Sequence, residues 1–508
     1  MNHPQWVALT IFAALFLFVA WLGMRASRWR RGDLDQLQEW GLGGRRFGTL
    51  VTWFLVGGDL YTAYTFIAVP ALAFGAGATA FFAVPYTILA YPIFFMVFPR
   101  LWEICHREGY ITVADFVRGR FGNRWLALAI TVTGIVATLP YIALQLLGLQ
   151  VVIAALGIGS VGIASYLPLL IAFVILALFT HSSGLRAPAS IAIVKDILIY
   201  ATTLTAIVYL PMRLGGFAHI FAAVPRTKLL LEAPGPHSTG SYGAYATMAL
   251  GSALALFLYP HAITGVLSSS SSRALKRNAA LLPSYSLLLG LLVLMGFFAI
   301  AAGVAQNPRF ATGFHLYGNS FSVPALFLQL FPGWFVGIAF AAIGIGALVP
   351  AAIMAIASAN LYARNIHREF IDPQPSERRE SRIAKSAALV IKLGALAFVL
   401  WVPTDYAIYL QLLGGIWIIQ TLPAVISGAF TAWFNDWALL AGWALGTITG
   451  TAMAFATHLT PAYTLHVAGW SLPGYTALYT LVLNLALAAL LTPLFEGIAA
   501  RTGRPATS

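Results

Sequence analysis

Four ionisable side chains stand inside the most apolar stretches of this chain: Asp59 in WFLVGGDLYTAYTF, Lys195 and Asp196 in ASIAIVKDILIY, and Lys392 in ALVIKLGALAF. Groups of this kind hold cations, move protons or pair with one another. In hydrocarbon each costs several kcal/mol unless it faces a cavity or a partner, so each marks a place where ions or protons are handled. A structural reading stands beside every one. Lys392 lies within about two turns of a span's inner end and can extend its ammonium to the interface. Lys195 can do the same beside a loosely solvated Asp196, although adjacent residues project from different helix faces and both cannot meet lipid cheaply. Asp59 follows Gly57-Gly58 and precedes Pro70. Glycines there permit an interrupted helix, and such breaks at mid-membrane bind solutes and ions. The same glycines also suit close helix packing.

The elements that hold these residues read as membrane helices. Of 508 residues, 60% are hydrophobic and 9% charged, against about 25% charged in a soluble domain. Lipid, not water, must wet most of the outside. Apolar runs long enough to span a bilayer recur thirteen times. They lie near 5–25, 48–72, 78–99, 125–156, 162–181, 189–212, 242–266, 279–303, 330–362, 386–403, 407–434, 437–458 and 474–495. Their backbones must be satisfied internally and no barrel alternation competes, so the expected class is an all-α integral membrane protein. Residues 5–24 lack a small-residue cleavage site and read as a first span.

Basic residues crowd one side. Arg25, Arg28, Arg30, Arg31, Arg45 and Arg46 follow the first span, and Arg100, Arg107, Arg118, Arg120 and Arg124 follow the third. Arg273, Lys276 and Arg277 follow the seventh, and 364–385 after the ninth adds more, whereas Arg213, Arg226, Lys228 and Arg309 fall opposite. The bias predicts an outside N-terminus and a cytoplasmic C-terminus. It makes the net charge of +13 a topology signal, with no nucleic-acid partner. The single cysteine, Cys105, excludes an internal disulfide and a cysteine metal site.

Several segments are specific as a set. EWGLGGRRFG precedes the second span, YITVADFVRGRFG follows the third, and LYPHAITGVLSSSSSRALKRNAALLPSYSLLLG begins in the seventh. SGLRAPASIAIVKDILIY and LLGGIWIIQTLPAV cover the sixth and eleventh. In these the chain resembles the sodium:solute symporter family, and in the last two its bacterial monocarboxylate permease branch. The resemblance implies a LeuT-type fold of 13 transmembrane helices forming one transporter domain, 1–508. Spans 2–6 (48–212) and 7–11 (242–434) would form two inverted five-helix repeats, with peripheral spans 12–13 and a cytoplasmic tail in 435–508. No similarity between the halves is visible in the sequence itself. The implied activity is secondary active import of small monocarboxylates (lactate, pyruvate, acetate or propionate, with alanine a further candidate) across a bacterial inner membrane. The implied partners are that carboxylate and membrane lipid, with a functional monomer and no cofactor.

In sodium-driven relatives of that family, carbonyls of the broken second span and two hydroxyls of the ninth hold the ion. Here Val349 and Pro350, in GALVPAAIMAIASANLYARNIHREF, stand where those hydroxyls belong. Neither side chain offers the hard oxygen that sodium needs. Other LeuT-type transporters that run on protons place a lysine from the fifth helix of the first repeat at the vacant sodium position. Lys195 falls in that helix, and its ammonium is a compact cation. Asp196 matches the family's acid on the inner ion path, while Gly58 and Asp59 lie at the break. The resemblance with these departures implies a proton as coupling ion. A sodium-coupled symporter for an amino acid, sugar or vitamin is the alternative.

The resemblance places the solute between the break in span 2 and span 7. Side chains available there are Tyr61, Thr62, Tyr64 and Thr65 in span 2, Tyr141 and Gln145 in span 4, Tyr259 and His261 in span 7, and Trp417 and Gln420 in span 11. A half-helix N-terminus suits a carboxylate. Hydroxyls, amides and a few aromatics suit a small acid with a short apolar end. Packing is the other reading for the aromatics, with Tyr141 beside a kink at Pro140. His261 is either a buried structural histidine or a proton relay. No HExxH, phosphate-binding glycine loop or nucleophile elbow occurs, so no enzyme is expected. Buried charges at interrupted helices favour alternating access over an open pore, and 496–508 is too short for a signalling domain.

Overall fold

Helices form wherever the sequence is apolar on every face, since a backbone among lipid and other helices must satisfy its own hydrogen bonds. The computed structural model describes residues 5–29, 32–58, 62–158, 167–401 and 409–502. Asp59 and Tyr61 lie outside them. The chain opens with α1 (Trp6–Arg25). The next apolar run is split: Thr49–Thr52 continues as π-helical Trp53–Gly57, and beyond the break π-helical Tyr64–Ala68 continues as α2 (Val69–Ala76). Then come α3 (Ala83–Arg107), α4 (Val113–Phe121), α5 (Arg124–Ala155), α6 (Leu167–Ser183) and α7 (Arg186–Arg213). The second half holds α8 (Gly240–Leu256), α9 (Pro260–Leu267), α10 (Pro283–Ala301), α11 (Gly333–Leu361), α12 (Glu377–Trp401), α13 (Leu410–Ile418) and α14 (Asp436–Ala456). The chain closes with β1 (Ala462–Val467), β2 (Trp470–Tyr475) and α15 (Thr476–Thr502).

Among the described residues eight helices are long and apolar enough to cross a membrane, or ten if two bent pairs each count as one span. The pairs bend by 46° between α8 and α9 and by 42° between Leu410–Thr421 and Pro423–Phe430. Breaks therefore divide some expected spans, and Tyr64–Arg107 runs two of them together. Pro260 and Pro423 stand at the first helical positions after the bends, where the missing N–H is least costly.

α11 is the centre of the bundle, with 94% of its most apolar window buried. Its Gly and Ala residues let backbones approach closely. A Cβ added to Gly337 would lie 2.6 Å from the Ala8 carbonyl of α1, and one on Gly344 would lie 3.1 Å from Leu149 of α5. α7 packs on the same helix.

Two features depart from the sequence reading. α12 begins at Glu377, well before the apolar window near 386, because hydropathy sees only the part in hydrocarbon while the helix runs on into water. The segment before α15 forms an antiparallel hairpin, with Ala462 paired to Tyr475 and Val467 to Trp470. Ala468 and Gly469 turn it at φ +48° and +80°, the mirror-image turn that matches strand twist. The alternation in AYTLHV was its signal.

Candidate ion and solute site

Lys195 and Asp196 are adjacent on α7, and both side chains are wholly buried. Their head groups converge on the break. The Lys195 ammonium donates to the carbonyl of Gly58, the last residue described before 59–61. It also pairs with Asp196 Oδ1 at 3.0 Å. The other carboxylate oxygen, Oδ2, accepts a 2.7 Å hydrogen bond from the Tyr285 hydroxyl of α10. The two glycines are explained by these contacts. A Cβ on Gly58 would lie 2.7 Å from Asp196 Oδ2 and 2.9 Å from the Lys195 ammonium, and one on Gly57 would overlap the Tyr285 ring. Val349 and Pro350 lie buried in α11, the helix packed against α7, and bring no side-chain oxygen. Lys392 is 2% exposed and makes no ion pair among the described residues.

Beyond the break, the protein caps its own second half-helix. Thr62 N–H donates to Thr65 Oγ1 at 2.9 Å, Ala63 N–H to Gln145 Oε1 at 2.9 Å, and Tyr64 N–H to Thr62 Oγ1 at 3.0 Å. These are the N–H groups expected to face a carboxylate, so an acid bound there would exchange with side-chain caps. Gln145 keeps its amide nitrogen buried without an acceptor among the described residues. Gln145→Leu strands the Ala63 N–H, at about 1–3 kcal/mol. It is expected to reduce solute exchange severalfold while the bundle still folds; counterflow in proteoliposomes measures this, and unchanged exchange would remove Gln145 from the site.

Three rings meet beside this cap. Tyr141 of α5 lies 5.4 Å from Tyr259 and 5.4 Å from His261, and the last two are 5.3 Å apart. The Tyr259 hydroxyl donates to the Gln411 carbonyl at 2.9 Å, and buried Tyr64 stands within electrostatic reach of Tyr259. Tyr64, Tyr141, Gln145, Tyr259 and His261 are thus brought together. Trp417 and Gln420 are not. Trp417 donates to Thr451 Oγ1 of α14 at 3.0 Å, and Gln420 donates to Thr480 Oγ1 at 2.9 Å and accepts from Asn484 at 3.1 Å, both on α15. They tie α13 and the residues after it to the last two helices. A helix apolar on all sides gives no phase by which to foresee that.

Two features escaped the sequence reading. Tyr285, which the sequence does not single out, supplies the hydroxyl that holds Asp196. Arg186, fully buried at the start of α7, donates to the Glu39 carbonyl oxygen at 2.9 Å and pairs with its carboxylate. Arg46 closes on the same carboxylate at 2.6 Å, and Leu185 N–H bonds the Trp40 carbonyl at 2.9 Å. The motifs EWGLGGRRFG and SGLRAPAS are therefore two sides of one joint. Among the described residues no group of three or more His, Cys, Asp or Glu stands close enough to hold a metal.

Comparison with known proteins agrees with this architecture. The chain matches the sodium:solute symporter family over residues 40–446. It is 48% identical over 492 residues to a monocarboxylate transport permease protein of Rhizobium johnstonii, covering 96% of each chain. It is 35% identical over 496 residues to the uncharacterized symporter YodF of Bacillus subtilis, covering 96% of this chain and 93% of that one. A substrate-bound, outward-open Na+-coupled sialic acid symporter superposes with a TM-score of 0.75 at 15% identity, over 96% of this chain and 97% of that one; the likeness is one of fold. These matches are to transporters, and the chain is an integral membrane transporter, not an enzyme. It belongs to the sodium:solute symporter family.

Proposed function

We propose that this chain imports small monocarboxylates across the bacterial inner membrane by proton-coupled alternating access, within a thirteen-span LeuT-type fold whose N-terminus lies outside. The observation that carries the coupling is the Lys195 ammonium on the Gly58 carbonyl, at the break in the first core helix. A sodium ion needs several oxygens at such a place; here one of them already receives an ammonium, and α11 contributes Val349 and Pro350. Loss of the lysine proton removes one ammonium hydrogen bond and the charge that faces Asp196, loosening the joint between α7 and the break. Solute at Gln145, Tyr141 and His261 senses that joint through Ala63. The substrate class is supported by the Rhizobium relative, described as a monocarboxylate transport permease protein, and by a site of hydroxyls, an amide and aromatics. The distribution of arginines supports the orientation.

The test is uptake of radiolabelled lactate, pyruvate, acetate and propionate into proteoliposomes. A pH gradient, acid outside, should drive accumulation with no sodium present, and a sodium gradient alone should not. Uptake that needs sodium and ignores pH would overturn the coupling and favour a sodium symporter for another small solute.

A further inference from the structure

A groove of about 480 Å³ climbs the outside of the bundle between α5, α12 and the π-helical extension of α11, Tyr362–Ile371. Its lining is of two chemistries. Arg382 and His367 line it, and so do Ile135, Val390 and Ile391, the last two lying eight and nine residues farther along α12 than Arg382. Arg382 is exposed and has no carboxylate partner among the described residues, whereas its neighbours Arg364, Arg368, Arg378 and Arg379 each reach one. From Arg382 to Ile391 the helix rises about 13 Å, close to half of a ~30 Å hydrocarbon core. The groove thus begins with an unneutralised cation at the arginine-rich end of the bundle and continues as an apolar wall one leaflet deep.

We infer that this groove binds one anionic phospholipid of the leaflet at the arginine-rich end. Its phosphate sits on Arg382 and His367, and an acyl chain lies along Ile135, Val390 and Ile391. A free anion would use only Arg382 and His367, and a zwitterionic lipid would leave Arg382 without a net counter-charge. Basic pockets between helices at this depth take such headgroups. The groove's walls come from α5 in one half of the chain and α11 and α12 in the other, so a lipid seated there bridges elements that are far apart in sequence.

The test is native mass spectrometry of the full chain released from detergent, titrated with phosphatidylglycerol or phosphatidylcholine. Wild type should prefer phosphatidylglycerol about fivefold, the worth of one well-placed cation near a lipid phosphate. Arg382→Gln should abolish the preference, and Ala387→Trp, which fills the groove, should weaken both lipids. Arg378→Gln removes the same charge from a residue paired with Asp35 and should change nothing. Equal binding of the two lipids by wild type would overturn the inference. Equal losses in the two arginine variants, or displacement of phosphatidylglycerol by inorganic phosphate, would overturn it as well.

Discussion

Lys195→Met is expected to reduce accumulation driven by a pH gradient to the level of empty liposomes. The substitution acts in two ways that need separating. It deletes the ammonium proposed to carry the proton, and it leaves Asp196 buried with the Tyr285 hydroxyl but without its cation. Breaking a buried ion pair from one side costs about 3–5 kcal/mol, a large share of the 5–15 kcal/mol that typically holds a protein folded. A failure of the single variant would therefore be ambiguous. The pair Lys195→Met with Asp196→Asn removes both charges, keeps volume near native and leaves Tyr285 a partner at position 196, although the hydrogen bond to the Gly58 carbonyl is lost. It is expected to express and to exchange solute in counterflow, while still failing to accumulate solute against a gradient. A double variant that accumulates normally in response to pH would eliminate Lys195 as the coupling group.

Arg186→Leu is expected to destabilise the fold at a joint away from the coupling pair. Glu39 would keep Arg46, whose side chain is 49% exposed, but lose the arginine that fills the interior between the two motifs. Removal of one side of a buried pair again predicts a loss of about 3–5 kcal/mol. Thermal unfolding in detergent should show a markedly lower midpoint and a lower yield of monodisperse protein. Adding Glu39→Gln to Arg186→Leu should recover part of the loss, because the stranded charge is then gone. Identical unfolding of wild type and Arg186→Leu would mean that the pair contributes nothing to the fold.

What could be read from sequence follows from what each residue looks like in isolation. A lysine and an aspartate in ASIAIVKDILIY are conspicuous because hydrocarbon penalises them whatever their partners, and Gly57-Gly58 permit an interruption through backbone chemistry alone. Tyr285 gave no such signal: a tyrosine in an apolar helix is ordinary, and its role exists only because Asp196 arrives from 89 residues away. Arg186 and Glu39 are separated by 147 residues, and nothing local to either names the other. Gln145 was singled out as a solute contact, yet its amide oxygen is used by the Ala63 backbone. Trp417 and Gln420 point toward α14 and α15 because helices apolar on every face leave rotation to be decided by packing. The β1–β2 hairpin was overlooked for another reason: its alternating pattern is short and lies between two strong helical signals.

The hydroxyl of Tyr285 joins α10 to α7. Asp196 is held on one side by its own neighbour Lys195 and on the other by α10. If the pair carries the coupling proton as proposed, its occupancy and the spacing of α7 from α10 are linked variables, and thermodynamic reciprocity requires each to shift the other by the same factor. A variant such as Tyr285→Phe, which keeps the ring under Gly57 and deletes the link, should still move protons and should still move solute. What it should lose is stoichiometry, becoming a leak in which the two fluxes no longer keep a fixed ratio.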